Sequence, residues 1–275
     1  MSVRARLNKI FNKPILFTFI PLVNKVITLV KRKTATSTIW NAQYKRFELR
    51  ENGQLIQVDV LPYWGCTKQY LRDAVNRINL VGIELGKSDT VVDIGSGTGT
   101  EAVIFSELVG ESGKVYAIEA HPETYCSLEL LVQKGEHRNI LPFHLAIGNT
   151  EGTVRMDDLA DHEKNAVSFD GVSSNSGLSV QMVTLDQFVA KNNITQIDFL
   201  KVNIEGSESL MIEGMKESIG IVRNAAISCH DFLNHDSSKP IMKKVKLFFE
   251  KNGFNVNHYP KEHPVMNSWI YMTRV

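Results

Sequence analysis

The first 33 residues contain no aspartate or glutamate. They carry Arg4, Arg6, Lys9, Lys13, Lys25, Lys31, Arg32 and Lys33, so the formal charge of +1 hides 23 basic against 30 acidic residues in the rest of the chain. A body that is acidic on balance lacks the positive charge needed to neutralise phosphates, which excludes bulk binding of nucleic acid. Cysteine is scarce as well. Cys66, Cys126 and Cys229 are an odd number at wide spacing, with no Cys-x-x-Cys and no Cys/His pair at metal spacing. Neither a disulfide framework nor a zinc site is indicated, and a reducing, cytoplasmic setting is expected. Cys229, in the run AAISC, reads as a buried thiol. Internal repeats and low-complexity tracts are missing too. What is present, 43% hydrophobic and 22% charged residues in 275, is the composition of an ordinary globular protein. It excludes a disordered chain and a collagen-like repeat, and the length suits one large domain with an appendage.

The apolar stretch Ile15 to Val30 has sixteen residues and is interrupted by Pro21, Asn24 and Lys25. It falls just short of the roughly 17 to 25 residues that span a bilayer. Its basic flanks suit an amphipathic helix lying on a membrane surface, so residues 1–33 are candidates for peripheral contact with the inner face of a membrane. Packing against the main domain or a partner subunit is the other reading. A cleaved leader fits less well, because Lys31-Arg32-Lys33 stands where a small-residue cleavage site would follow. From Thr34 to about Tyr63 the chain is polar, with a short hairpin expected around Glu51-Asn52-Gly53. The chain therefore divides into a basic, apolar extension over 1–60 and a larger domain over 61–275.

From Asp89 onward strands and helices alternate. Thr90 to Ile94, Lys114 to Glu119, Ile140 to Ile147, Ile197 to Ile204 and Val222 to Cys229 read as strands, with closing strands over Phe254 to Tyr259 and Ser268 to Thr273. Helices are expected over Glu101 to Val109, Pro122 to Lys134, Ser207 to Met215 and Lys239 to Asn252. This rhythm predicts an α/β, Rossmann-like fold whose mostly parallel sheet is covered on both faces. Ligands of such sheets bind beyond the carboxyl ends of the strands, where the strand order reverses.

Three polar clusters fall at those ends. The first is Asp93-Ile94-Gly95-Ser96-Gly97-Thr98-Gly99. Its glycines permit a tight turn and close approach of a ligand. The spacing is GxGxG rather than the dinucleotide GxGxxG, and no Lys-Ser/Thr pair follows as in a P-loop. An acidic residue two positions before GxGxG is the pattern of folds that bind S-adenosylmethionine. The second cluster is Glu119, 24 residues after Gly95, placed to accept the ribose hydroxyls of an adenosine. His121 beside it is ambiguous, and Pro122 marks a helix start. The third is Lys201, Asn203 and Glu205, which share one side of a strand. Buried without partners they would cost on the order of 1–3 kcal/mol each, so they must pair with one another or with a ligand.

These blocks, VVDIGSGTGTEAVIFSELVG, KVYAIEAHPETYCSLE and VTLDQF…IDFLKVNIEGSESLMIEG, resemble the FkbM family of S-adenosylmethionine-dependent methyltransferases over roughly Asp89 to Gly214. The more specific signals are Thr184-Leu185-Asp186 and the LKxxxEGxE pattern from Leu200 to Glu208. Asn203 stands where the family usually has Asp, keeping shape and an acceptor but losing charge. The resemblance implies a class I methyltransferase fold with a seven-stranded sheet, S-adenosylmethionine as cofactor, and methyl transfer to oxygen. The cofactor-binding candidates are Asp93, Gly95, Ser96, Gly97, Thr98, Gly99, Glu119, Ala120, Ala146 and Asn203.

A hydroxyl acceptor gains from a general base within hydrogen-bond reach. His230-Asp231, directly after the strand AAISC, is the leading candidate; Glu205 is the alternative, and Lys201 completes the catalytic set. Glu205 and Asp231 are a thin ligand set for a divalent ion; no metal ligand is assigned, and the need for a metal stays open in the sequence. The expected function is an O-methyltransferase acting on a sugar hydroxyl of a glycan or glycolipid. A soluble small-molecule acceptor and a non-catalytic binding subunit are the alternatives. The stretch Asp157 to Val180, rich in Ser, Asn, Asp and Gly, reads either as an acceptor-binding lid or as a plain surface excursion.

Overall fold

The computed structural model describes residues 19–30, 37–41, 46–51, 54–58, 67–135, 137–156, 167–168, 178–233 and 240–275. Its elements run α1 (Ile20–Val30), β1 (Ser37–Asn41), β2 (Arg46–Glu51), β3 (Gln54–Val58), α2 (Lys68–Ile78), β4 (Thr90–Ile94) and α3 (Thr100–Val109). There follow β5 (Lys114–Glu119), α4 (Pro122–Gly135), β6 (Ile140–His144), β7 (Ala146–Gly148), β8 (Gly152–Met156), β9 (Val167–Ser168), β10 (Leu178–Thr184) and α5 (Leu185–Lys191). The chain closes with β11 (Ile197–Val202), α6 (Glu208–Met211), β12 (Val222–Ser228), α7 (Ile241–Lys251), β13 (Phe254–His258), α8 (Pro264–Asn267) and β14 (Trp269–Arg274).

Seven strands form the central sheet in the order β13-β14-β12-β11-β4-β5-β6. From β12 to β6 neighbouring strands are parallel, and β14 alone runs against both its neighbours. The expected α/β architecture is therefore present. Alternation along each strand feeds two cores: Val91 joins Val103, Phe105, Leu128 and Phe199 on one face, whereas Val92 joins Leu185, Phe188, Val245 and Phe249 on the other. The chain builds outward from β4 through β5 to β6, then returns to the opposite side of β4 with β11. The reversal between β4 and β11 opens the crevice in which such sheets hold ligands.

Several boundaries differ from the sequence reading. Ile140 to Ile147 is not one strand: β6 ends at His144, and β7 joins a second sheet of order β7-β10-β8-β9. Pro142 is tolerated in β6 because that strand is the sheet edge and needs no donor on its outer side. β11 ends at Val202 rather than Ile204, and the chain then turns through Glu205 at φ 49° and Gly206 at φ 104°. The helix expected from Ser207 shrinks to α6 followed by a 3-10 turn. The hairpin expected around Asn52-Gly53 is present as β2 and β3, with Glu51 opposite Gln54. Its Phe47, Leu49, Leu55 and Ile56 are buried in the same core as α3 and α4. α1 leaves Leu22, Val26 and Leu29 exposed along one side, with Phe19 exposed just before it, and no helix among the described residues is long and apolar enough to cross a membrane. The Ser/Asn/Gly-rich stretch lies largely outside the described residues, apart from β9 and the start of β10.

The Thr184-Leu185-Asp186 motif has a mechanical explanation. Thr184 caps α5 in a capping box with Gln187. Asp186 accepts from the Ser218 backbone N–H (2.7 Å), the Ser218 hydroxyl (2.6 Å) and the Glu217 N–H (3.2 Å). Removing the carboxylate strands those donors, so Asp186→Ala should lower the unfolding free energy by about 1–3 kcal/mol in a urea titration. Asp186→Asn should retain part of that loss-prone network and fall between the two.

Candidate active site

Beyond Ile94 the chain turns back under its own ligand cradle. The Gly95 and Ser96 N–H groups donate to the Ile118 carbonyl of β5 at 2.9 and 3.0 Å. Gly95 (φ 74°) passes so close to the end of β11 that a Cβ there would lie 1.9 Å from the Asn203 carbonyl oxygen. Gly97 (φ 56°) differs: nothing stands within 4 Å of where its Cβ would be, and it lines a cavity of about 790 Å³. The loop thus presents bare backbone to an open space at the switch point.

Beneath the loop lies an ion cluster. Lys201 of β11, with no exposed surface, pairs with Asp93 of β4 (2.9 Å) and Glu101 of α3 (2.8 Å) and donates to the Gly95 carbonyl (2.8 Å). Burial alone would lower the Lys201 pKa, but Asp93 and then Glu101 outweigh it and hold the ammonium above its usual value. Asp93 also accepts from the Ser96 hydroxyl at 2.6 Å. Neither Asp93 nor Lys201 lines the cavity; they fix the loop that does. Lys201, read as catalytic from the sequence, is placed by the structure as a support.

Glu119 ends β5 on the cavity wall, accepting from the Gly97 N–H (2.9 Å) and the His121 N–H (2.8 Å). Burial pushes its carboxyl up, against the two backbone donors that favour the charged form. Ser96, Thr98, Ala120, Ala146 and Asn203 line the same cavity. Gly99 lies behind it as the left-handed N-cap of α3, where a Cβ would strike Leu128 and Leu131. His121 is buried at the start of α4, 3.4 Å from the Thr124 hydroxyl, and does not line the cavity.

The opposite rim is built from β11, α6 and β12. His230 is 2% exposed, its Nδ1 2.6 Å from Glu208 Oε1 and its Nε2 3.4 Å from Glu205 Oε1. Glu208 is sealed, and its Oε1 also accepts from the Ile204 and Gly206 N–H groups at 3.3 Å. Burial would lower the His230 pKa, but bonding to Glu205 and Glu208 overrides it and lifts the value to about 9. Near neutral pH the ring is an imidazolium with no lone pair to take a proton, which weighs against the base role read from sequence. Glu205 and His230 do meet at the cavity. Asp231 does not: its carboxylate accepts from the Ile241 and Met242 N–H groups and caps α7. Among the described residues no group of three or more His, Cys, Asp or Glu is arranged to hold a metal ion.

Several lining residues went unread in the sequence. α2 supplies Leu71, Val75 and Asn79; their four-residue spacing after the N-cap Thr67 was the available signal. Phe232, Leu233 and Val265 stand at the mouth, roughly half exposed.

An open sheet in this order, with a glycine loop after β4, a carboxylate ending β5 and a cavity across the switch point, defines a methyltransferase that uses S-adenosylmethionine. The chain belongs to the family of the methyltransferase FkbM domain, which matches residues 93–256. It is similar to the hexuronic acid methyltransferase AglP of Haloferax volcanii, 22% identical over 190 residues covering 67% of this chain and 74% of that protein. A protein-L-isoaspartate O-methyltransferase of Methanococcoides burtonii is 28% identical over 86 residues, 31% of this chain and 40% of its own length. The crystal structure of methyltransferase FkbM from Methylobacillus flagellatus superposes with a TM-score of 0.52 at 15% identity, covering 76% of this chain. The present chain spans about half of that one (51%), and the likeness is one of fold.

The clamp on His230 makes stability depend on pH. The group titrates near 6.5 when unpaired and at about 9 in the fold. Its contribution is therefore complete below pH 6.5 and is lost as the pH rises through 9. The full difference is roughly 3 kcal/mol. Denaturant unfolding of the wild type from pH 6.5 to 10 should show this decline, and His230→Gln should lack it.

Proposed function

We propose that the protein is an O-methyltransferase that methylates a sugar hydroxyl in a glycan or glycolipid, with Glu205 as the group that receives the hydroxyl proton. The observation that carries this reading is the paired rim of the cavity. One side offers a glycine cradle with Glu119, and the other offers a carboxylate locked against an imidazolium. The residues fit the cofactor: Gly97 leaves open space facing the cavity, and Glu119 ends β5 where hydroxyl donors would find an acceptor. In this reading Gly95, Ser96, Gly97, Thr98, Glu119, Ala120, Ala146 and Asn203 surround the cofactor, while Asp93, Gly99 and Lys201 hold the loop in shape. S-adenosylmethionine supplies an already activated methyl group, so the protein's part is to align the acceptor, exclude water and remove one proton.

Glu205 suits that task because its side chain keeps 22% exposure at the cavity while His230 keeps 3%. His230 then acts as a positioning residue, fixing one carboxylate oxygen of Glu205. The sugar acceptor is supported by the similarity to a hexuronic acid methyltransferase and by Phe232, an exposed aromatic at the mouth suited to packing on a sugar's apolar face. A soluble small-molecule acceptor is the second reading, favoured by the apolar Leu233 and Val265 beside Phe232 at the mouth. The exposed apolar side of α1 and the acid-free charge of residues 1–33 support docking on an anionic membrane, where glycolipid acceptors would be met.

The pH profile separates the two bases. With Glu205 as base and His230⁺ as its clamp, the rate holds level from pH 6.5 to 8.5 and falls above 9. A base role for neutral His230 requires a rate that climbs through 9 instead. Glu205→Gln should lower kcat by about 10²–10⁴, with His230→Gln milder and without the alkaline fall. Labelled S-adenosylmethionine incubated with uronic-acid glycans and with cell-envelope glycolipids should yield labelled carbohydrate. Label confined to small soluble molecules would decide for the second reading. Sedimentation with vesicles containing phosphatidylserine should retain the full chain and release a variant lacking residues 1–33; equal partitioning defeats membrane docking.

A further inference from the structure

Asn79 stands at the end of α2 with 1% exposure, lines the cavity, and has no hydrogen-bond partner among the described residues for either its Oδ1 or its Nδ2. The helix does not need that side chain, since the cap is made by the backbone N–H of Asn79 to the Val75 carbonyl at 2.7 Å. Nothing in the packing calls for an amide either: Leu71 and Val75, the preceding residues on the same stripe, are apolar and join the core. A buried carboxamide left unpaired on both ends is destabilising, and buried polar groups in native proteins normally have a partner, so one that faces a cavity calls for one there.

The fold says which end of the ligand lies there. Ile78 accepts at its carbonyl from the Tyr271 hydroxyl (2.7 Å) of β14, and β14 pairs with β12. Asn79 thus enters from the β12 side of the switch point, across the crevice from Glu119 on β5. On the Glu119 side the wall continues through Ala120, Ala146, Ile147 and Met156, which carry no charge and suit a flat base. With the nucleoside on that side, the opposite end of the ligand is its amino acid, which carries both an ammonium and a carboxylate. A carboxamide is the neutral group that serves both, donating from Nδ2 to a carboxylate and accepting at Oδ1 from an ammonium.

We infer that Asn79 binds the α-amino-acid end of S-adenosylmethionine and makes the site selective for ligands that carry it. This rests on the cofactor placement proposed above, with Glu119 on the nucleoside.

Calorimetry with two ligands tests it. S-adenosylhomocysteine has the amino-acid end, whereas 5′-methylthioadenosine keeps the nucleoside and sulfur without it. Asn79→Ala should weaken S-adenosylhomocysteine by roughly 10-fold or more and leave 5′-methylthioadenosine within about 2-fold, so that binding of the second ligand also reports an intact site. Asn79→Leu, similar in size and without either polar atom, should show the same selective loss. Unchanged S-adenosylhomocysteine affinity in Asn79→Leu, or equal loss of both ligands in both variants, overturns the inference. Glu119→Ala should weaken both ligands together; if it weakens neither, the cofactor placement fails, and a selective loss at Asn79 would then stand as a separate finding.

Discussion

The ammonium of Lys201 sits where a charge is least welcome, near the end of a central sheet strand whose six residues are all buried. Taking such a group out of water costs several kcal/mol unless its partners are held ready. Here they arrive from three directions: Asp93 on the neighbouring strand, Glu101 on the helix that follows the glycine loop, and the Gly95 carbonyl within the loop. Desolvation makes each partner obligatory, so the ends of β4 and β11 and the start of α3 share one arrangement. The cradle is stiff because an ion that cannot be left unpaired sits under it, and the cavity in front of it can remain open.

The same device recurs at the other rim. His230 is a buried cation between Glu205 and Glu208, drawn from the far side of the same crevice. Each cluster sets two carboxyl groups against one cation. In both clusters the most deeply buried member shapes the site, and a less buried neighbour meets the cavity.

The central strands were legible because β-branched runs followed by glycine have few other meanings. Thr90 to Ile94 and Lys114 to Glu119 fall as expected, with the acid at the end of each. Ile140 to Ile147 was misread because apolar continuity does not reveal that Leu145 parts two sheets. Lys201 was recognised as needing partners, but Glu101 lies a hundred positions earlier, and only the packing of α3 brings it near. After β12 ends at Ser228 the chain turns, the Asp231 N–H donating to the Cys229 carbonyl at 2.9 Å. That turn leaves His230 at the cavity and sends Asp231 away to cap α7. Asn79 continues the four-residue spacing of Leu71 and Val75, but an asparagine after a helix ordinarily needs no further reason, so the spacing alone did not single it out.

Gly95 passes close against the Asn203 carbonyl where the paired strands β4 and β11 end, on the two sides of the switch point. Backbone meets backbone there, with no side chain to lengthen or shorten. The span from glycine loop to Glu205 is therefore a fixed dimension of the fold. Adaptation to a new acceptor has to come from the parts that can be exchanged without disturbing it: Phe232 and Leu233 after β12, and Val265 on the short α8. In engineering terms the molecule is a rigid chuck with interchangeable jaws, and under the proposed function the jaws are where acceptor choice would be written.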